Sequence, residues 1–173
     1  MAQQIVDYDP NWPRDFECEA QRLSRALGML AARIEHIGST SVPGLPAKPI
    51  IDIQITLQDE TAVQQCRLIV LEQGYTEAIA PVHFFHQPAA WPHSHHVHIR
   101  EDGSFEARRR REFRDWLRTH PRDRDAYGTL KRKLAESADL QRLEERVRYS
   151  HAKGAFVREI ERLAGLGGST SQA

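Results

Sequence analysis

The chain has 173 residues, of which 40% are apolar and 28% charged, with 24 basic residues against 24 acidic ones. That length and balance fit one water-soluble domain with a real core, and they lack the basic excess of a dedicated nucleic-acid binder. No apolar run is long enough to cross a bilayer, the start "MAQQIVDYDP" lacks the pattern of a signal peptide, and Cys18 and Cys66 have no partners at metal spacing, so a cytoplasmic protein with two reduced thiols is expected.

In chain order, "NWPRDFECEAQRLSRALGML" reads as a helix, with Asn11 as its cap, Pro13 in its first turn, and Phe16, Ala20, Leu23, Leu27 and Leu30 on one face. A short strand follows at Ile34 to Ile37, then a small-residue loop from Gly38 to about Pro49, then a strand from Ile50 to Leu57. "DETAVQQCRLIVLEQG" reads as a helix closed by Gly74. Three further strands are expected at Tyr75 to Ala78, His83 to His86 and His95 to Arg100, with an irregular "QPAAWPHS" between the last two. The remainder reads as helical. Ser104 caps a helix carrying Phe113, Trp116 and Leu117, and Pro121 stops it. A second helix carries Tyr127, Leu130 and Leu134. A long third helix from Asp139 carries Leu140, Leu143, Val147, Ile160 and Leu163. This is an α+β domain over residues 1–165, with helices packed on a small mixed sheet and a helical C-terminal region, followed by a disordered tail at 166–173.

The loop and the strand after it carry the chemistry. Gly38, Ser39, Thr40 and Ser41 offer backbone amides and three hydroxyls, a composition able to wrap an anion, although the lysine-bearing pattern of a Walker loop is absent. In the following strand Ile51, Ile53 and Ile55 point one way, and Asp52 and Gln54 the other. A carboxylate beside a phosphate-sized nest suits a divalent metal held against a polyphosphate, and Lys48 can add positive charge. On the His95–Arg100 strand, Val97 and Ile99 form the apolar face, leaving His96, His98 and Arg100 opposite. His96 and His98 read in two ways: as polar residues bonded to each other or to phosphate, or, with Asp52, as a two-histidine, one-carboxylate metal site. His98 can also serve as a general base, and Arg100 as a phosphate ligand. Of the nine histidines, His83, His86 and His93 read as rim residues. The run Arg108 to Arg111 is interleaved with Glu106, Glu112 and Asp115 and reads as a solvated face, from which Arg114 and Arg118 can reach the phosphate pocket.

The stretch "EHIGSTSVPGLPAKPIIDI", with "HHVHI", "FRDWLRTHP", "AYGTLKRKLA" and "YSHAKGAFV", resembles the GrpB-like family, a group within the nucleotidyltransferase superfamily, from about Val6 to Ala164. That resemblance implies a small mixed sheet bearing helices, Gly38 and Ser39 against a nucleoside triphosphate, Asp52 as the first of two metal-binding acids, and divalent Mg or Mn (Zn where histidines ligate) as cofactor. The second acid position is Gln54, which carries no charge. Two functions therefore stand open: a metal-dependent enzyme moving a nucleotidyl or phosphoryl group to a small acceptor, with Asp52 and His98 catalytic, or a nucleotide- or phosphate-binding module without chemistry. A second acid converging on Asp52 favours the enzyme, and its absence favours the module.

Overall fold

A computed structural model of the chain describes residues 4–78 and 83–166; of the tail expected at 166–173, all but Leu166 lies outside them. The described residues form strands β1 (Ala31–Ile37), β2 (Ile51–Leu57), β3 (Thr76–Glu77), β4 (Phe84–Gln87) and β5 (His95–Glu101), with helices α1 (Trp12–Leu27), α2 (Val63–Glu72), α3 (Phe105–Thr119), α4 (Pro121–Glu136), α5 (Leu143–Ala152) and α6 (Gly154–Leu163). The sheet runs in the order β1-β2-β5-β4-β3 and is mixed. β2 and β5 are parallel, while β1 on β2, β4 on β5 and β3 on β4 are antiparallel.

The period of two along β2 divides the sheet as expected. Ile51, Ile53, Ile55 and Leu57 are buried with Val97, Ile99 and Phe85 against Leu23 and Leu27 of α1 and Cys66 and Val70 of α2. The opposite face carries Asp52, Gln54 and Thr56. Register sets Asp52 between Ile37 and His96, and Gln54 between Glu35 and His98. Helix α3 lies over this second face, where the fully buried Gln54 donates from Nε2 to the Ala107 carbonyl oxygen at 3.2 Å. A second core of Val42, Leu45, Leu117 and Tyr127, with Phe113, Trp116, Leu130 and Phe156 beside it, joins α3, α4 and α6 to the small-residue loop.

Two local expectations change, at Asn11 and in the C-terminal helix, and Pro121 and Gly128 add detail. Asn11 occupies the cap position of α1 but has helical dihedrals, and its side chain bonds Asp9 rather than the helix end. Pro121 ends α3 by starting α4, where its fixed φ suits a first helical turn. The long C-terminal helix is two helices that break at Lys153 and Gly154; glycine gives up helix stability there. As a result Leu143, Val147 and Leu163 are exposed, while Ile160 and Leu166 are buried. In α4, Gly128 lets the helix press on the loop: a Cβ there would lie 3.0 Å from the Pro46 ring. That approach turns Tyr127 and Lys131, four residues apart, to the inside.

A candidate phosphate site beside Asp52

Asp52 lies at the start of β2, where the chain leaves the small-residue loop. Gly38 closes on it so tightly that a Cβ at position 38 would fall 2.3 Å from Asp52 Oδ2, and Gly38 has φ +71°. Only glycine meets both conditions cheaply. The side chains of Thr40 and Ser41 turn into the loop. Both are buried, Thr40 Oγ1 donates to Ile50 O at 2.9 Å and meets His36 Nε2 at 3.0 Å, and Ser41 Oγ donates to Gly38 O at 2.5 Å. Their hydroxyls shape the loop, and Ser39, partly exposed, is the hydroxyl left at its rim. His36 points to the α1 side, stacked on Phe16 at 4.7 Å.

The arginines expected at the phosphate pocket are placed differently. Arg114 donates to His36 O at 3.0 Å and to Asp115, and lies 3.7 Å from Glu35. Arg118 donates twice to Ser41 O, at 3.0 and 2.7 Å. Arg118 thus braces the loop, and Arg114 the end of β1 that leads into it. Arg114→Ala is expected to lower stability by about 1–3 kcal/mol, the scale of a lost charged hydrogen bond, read as a fall in melting temperature. Arg100 pairs with Thr56, four residues along the strand and so roughly 13 Å from Asp52. In the Arg108–Arg111 run, Arg108 pairs with Glu112, Arg109 with Glu106 and Glu161, and Arg111 with Glu35, but Arg110 turns inward to His98, so the run is not the solvated face expected.

Asp52, His96 and His98 do converge. His96 Nδ1 donates to Asp52 Oδ1 at 3.2 Å, and His98 Nε2 lies 3.7 Å from the same oxygen. Burial opposes ionisation of Asp52, but these contacts outweigh it and hold the carboxyl well below its usual range. His96 Nε2 in turn meets His93 Nδ1 at 3.1 Å, and His86 stacks on His93 at 3.9 Å, so His93 is a partner of the site and not a rim residue. Among the described residues, no three His, Cys, Asp or Glu side chains are arranged to hold a metal ion. Gln54 is committed to Ala107, and Glu35 to Arg111 and Arg114, so neither brings a second charge to Asp52. Both imidazoles thus gather at one carboxylate oxygen, only His96 within hydrogen-bond distance, and the Arg110 guanidinium 3.5 Å from His98 Nε2 does not suit a divalent cation.

His36 and His98 are both pushed down from 6.5 to about 4. Burial is the main cause; Arg110 adds to it at His98, and Arg118 and Arg114 at His36, against the pull of Asp52. Between these values the unfolded chain binds more protons than the folded one, so stability falls as pH drops from about 6.5 to about 4. Melting temperatures measured across that window are expected to fall steadily, and a His98→Gln variant to show a shallower fall.

Three lysines complete the site. Lys48 Nζ lies 5.6 Å from the Trp91 ring centroid and 5.2 Å from that of Tyr149. Lys153 Nζ lies 4.3 Å from the Tyr149 ring, and Lys131 Nζ 4.8 Å from the Tyr127 ring. Lys131 is only 2% exposed, and its Nζ has no hydrogen-bond partner among the described residues; the buried Tyr149 hydroxyl likewise has none. Burial lowers all three amines, Lys153 to about 8 and Lys131 well below its usual value, with repulsion from neighbouring cations adding to it and the Asp52 charge opposing it. Sequence reasoning reached Lys48 and missed the other two, although both fall inside the quoted stretches "AYGTLKRKLA" and "YSHAKGAFV".

The sequence profile described as GrpB protein matches residues 3–163. The chain belongs to the GrpB family. A solved structure of the conserved protein GrpB from Enterococcus faecalis has a TM-score of 0.80 at 34% identity, covering 92% of this chain and 96% of that one. A UPF0157 protein of Halalkalibacterium halodurans is 41% identical over 163 residues, 92% of this chain and 81% of that protein. A dephospho-CoA kinase of Mycolicibacterium paratuberculosis is 32% identical over 163 residues, 78% of this chain but 40% of that protein, so the GrpB-like stretch spans well under half of it. No helix among the described residues is long and apolar enough to cross a membrane.

Proposed function

We propose that this GrpB-family protein binds a phosphate-bearing, nucleotide-like small molecule on the Asp52 face of its sheet. Lys48, Lys131 and Lys153 meet the phosphates, and the Gly38–Ser39 backbone forms the rim. The observation that carries this reading is the buried Lys131 amine, which has no partner of its own and stands in a group with two more lysines. Buried charges are found paired or in wait of a ligand, because an unpaired one is costly. The kinship with dephospho-CoA kinases supports a ligand with nucleotide character. The lack of a second acid at Asp52 favours binding over two-metal nucleotidyl transfer.

Chemistry is a second reading because of one observation, the Asp52–His96 hydrogen bond, an arrangement that orients an imidazole as a base. A thermal-shift series with nucleoside di- and triphosphates and dephospho-CoA tests the binding reading, since a ligand of the native state raises the melting temperature with its occupancy. A rise of several degrees with at least one of them is expected; no shift with any contradicts it. Turnover of a shifting ligand that vanishes in Asp52→Asn would establish the second reading instead.

A further inference from the structure

Three lysine amines from different parts of the chain stand in the field of the one carboxylate Asp52. Lys48 precedes β2, Lys131 lies on α4, and Lys153 sits at the break between α5 and α6. Arg146 of α5 stands nearby, its guanidinium 3.9 Å from the centroid of Trp91, the ring that Lys48 also faces. The Lys131 amine, the Tyr149 hydroxyl and the Trp91 indole N–H are buried donors without acceptors among the described residues. Against these three lysines and Arg146 stands the one carboxylate of Asp52.

A single phosphate monoester brings roughly 1.5–2 negative charges, and a di- or triphosphate more, along with the extra oxygens that donors spread over three elements can reach. In a two-metal site, dications neutralise such a group and carboxylates hold the dications. Here one carboxylate, Asp52, stands among three lysines. A phosphate brings the negative charge that favours their protonated form, whereas a phosphate-bound Mg²⁺ would compete with them for its oxygens.

We infer that the site recognises the polyphosphate group of its ligand in the metal-free form, with Lys48, Lys131 and Lys153 taking the place of the dications. This rests on the phosphate-binding reading above and goes beyond it in naming the phosphate pattern and in dispensing with the metal. Calorimetric titration of the full chain with orthophosphate, pyrophosphate and tripolyphosphate, in EDTA and again with excess Mg²⁺, tests it. In EDTA, tripolyphosphate should bind at least about tenfold more tightly than orthophosphate, a difference of about 1.4 kcal/mol. Excess Mg²⁺ should weaken it, and Lys131→Met, checked for folding by its melting temperature, should lose at least tenfold. Binding of tripolyphosphate or a nucleotide only when Mg²⁺ is present overturns the metal-free inference and leaves the phosphate reading standing. Undiminished binding by folded Lys131→Met overturns the assignment to these lysines. No binding of any phosphate or nucleotide under either condition overturns both.

Discussion

Lys131→Met is expected to raise the melting temperature and at the same time to remove affinity for phosphate ligands. The native side chain is 2% exposed, and its Nζ has no hydrogen-bond partner among the described residues. It lies 4.8 Å from the centroid of the Tyr127 ring. Methionine fills nearly the same volume without the amine. Removing an unsatisfied buried polar group returns about 1–3 kcal/mol, against up to about 2 kcal/mol lost with the cation–π contact. The net is a gain of about 1 kcal/mol, which for a chain of this size moves the melting temperature up by about 2–4 °C. Calorimetric melting and ligand titration of the same preparation provide the check. A lysine kept for stability would show the reverse, a lower melting temperature with affinity intact. Movement of the two readouts in opposite directions is the mark of a site that gives up stability for function.

Gly38→Ala is expected to damage both. The added methyl would fall 2.3 Å from Asp52 Oδ2 and 2.8 Å from its Cβ and Cγ, so Asp52 must turn away and lose its bond to His96. The left-handed φ of +71° adds about 1–2 kcal/mol for any residue with a side chain. The expected loss is about 3–5 kcal/mol, the range of severe single substitutions, together with loss of ligand binding. Gly44→Ala is the control. Gly44 has a similar φ of +79°, but its Cβ would meet only the Arg124 guanidinium, at 3.4 Å. That variant should pay the backbone cost alone and keep its affinity. Equal losses in the two variants would show that the closeness of Gly38 to Asp52 is of no consequence.

The part of the site on strands was legible because a strand has a period of two. Ile51, Ile53 and Ile55 fix one face of β2, and Asp52 and Gln54 must then share the other. The same rule put His96 and His98 on one side of β5, and parallel pairing brought them to Asp52 and Gln54. The loop was legible only in part. "GSTS" shows three hydroxyls, but whether each turns inward depends on acceptors elsewhere, here Ile50 O for Thr40 and Gly38 O for Ser41. Arg114 and Arg118 likewise found backbone carbonyls, of β1 and of the loop, a choice set by where α3 lies over β1. Lys131 and Lys153 were the hardest to find. On an amphipathic helix a lysine reads as a solvent residue, and these two come within reach of Asp52 only because Gly128 lets α4 approach Pro46 and because the C-terminal helix breaks at Lys153. His93 was missed for a related reason: its bond to His96 depends on the path of a proline-bearing loop.

The central claim is that the Asp52 face of the sheet is a phosphate receptor walled by lysines. The most direct measurement is a crystal structure of the full chain grown with a non-hydrolysable nucleoside triphosphate in EDTA. The account expects phosphate oxygens within hydrogen-bond distance of Nζ of Lys48, Lys131 and Lys153, beside the Gly38–Ser39 backbone. Phosphates seated on the α3 arginines instead, or a saturated crystal with none beside Asp52, would contradict it.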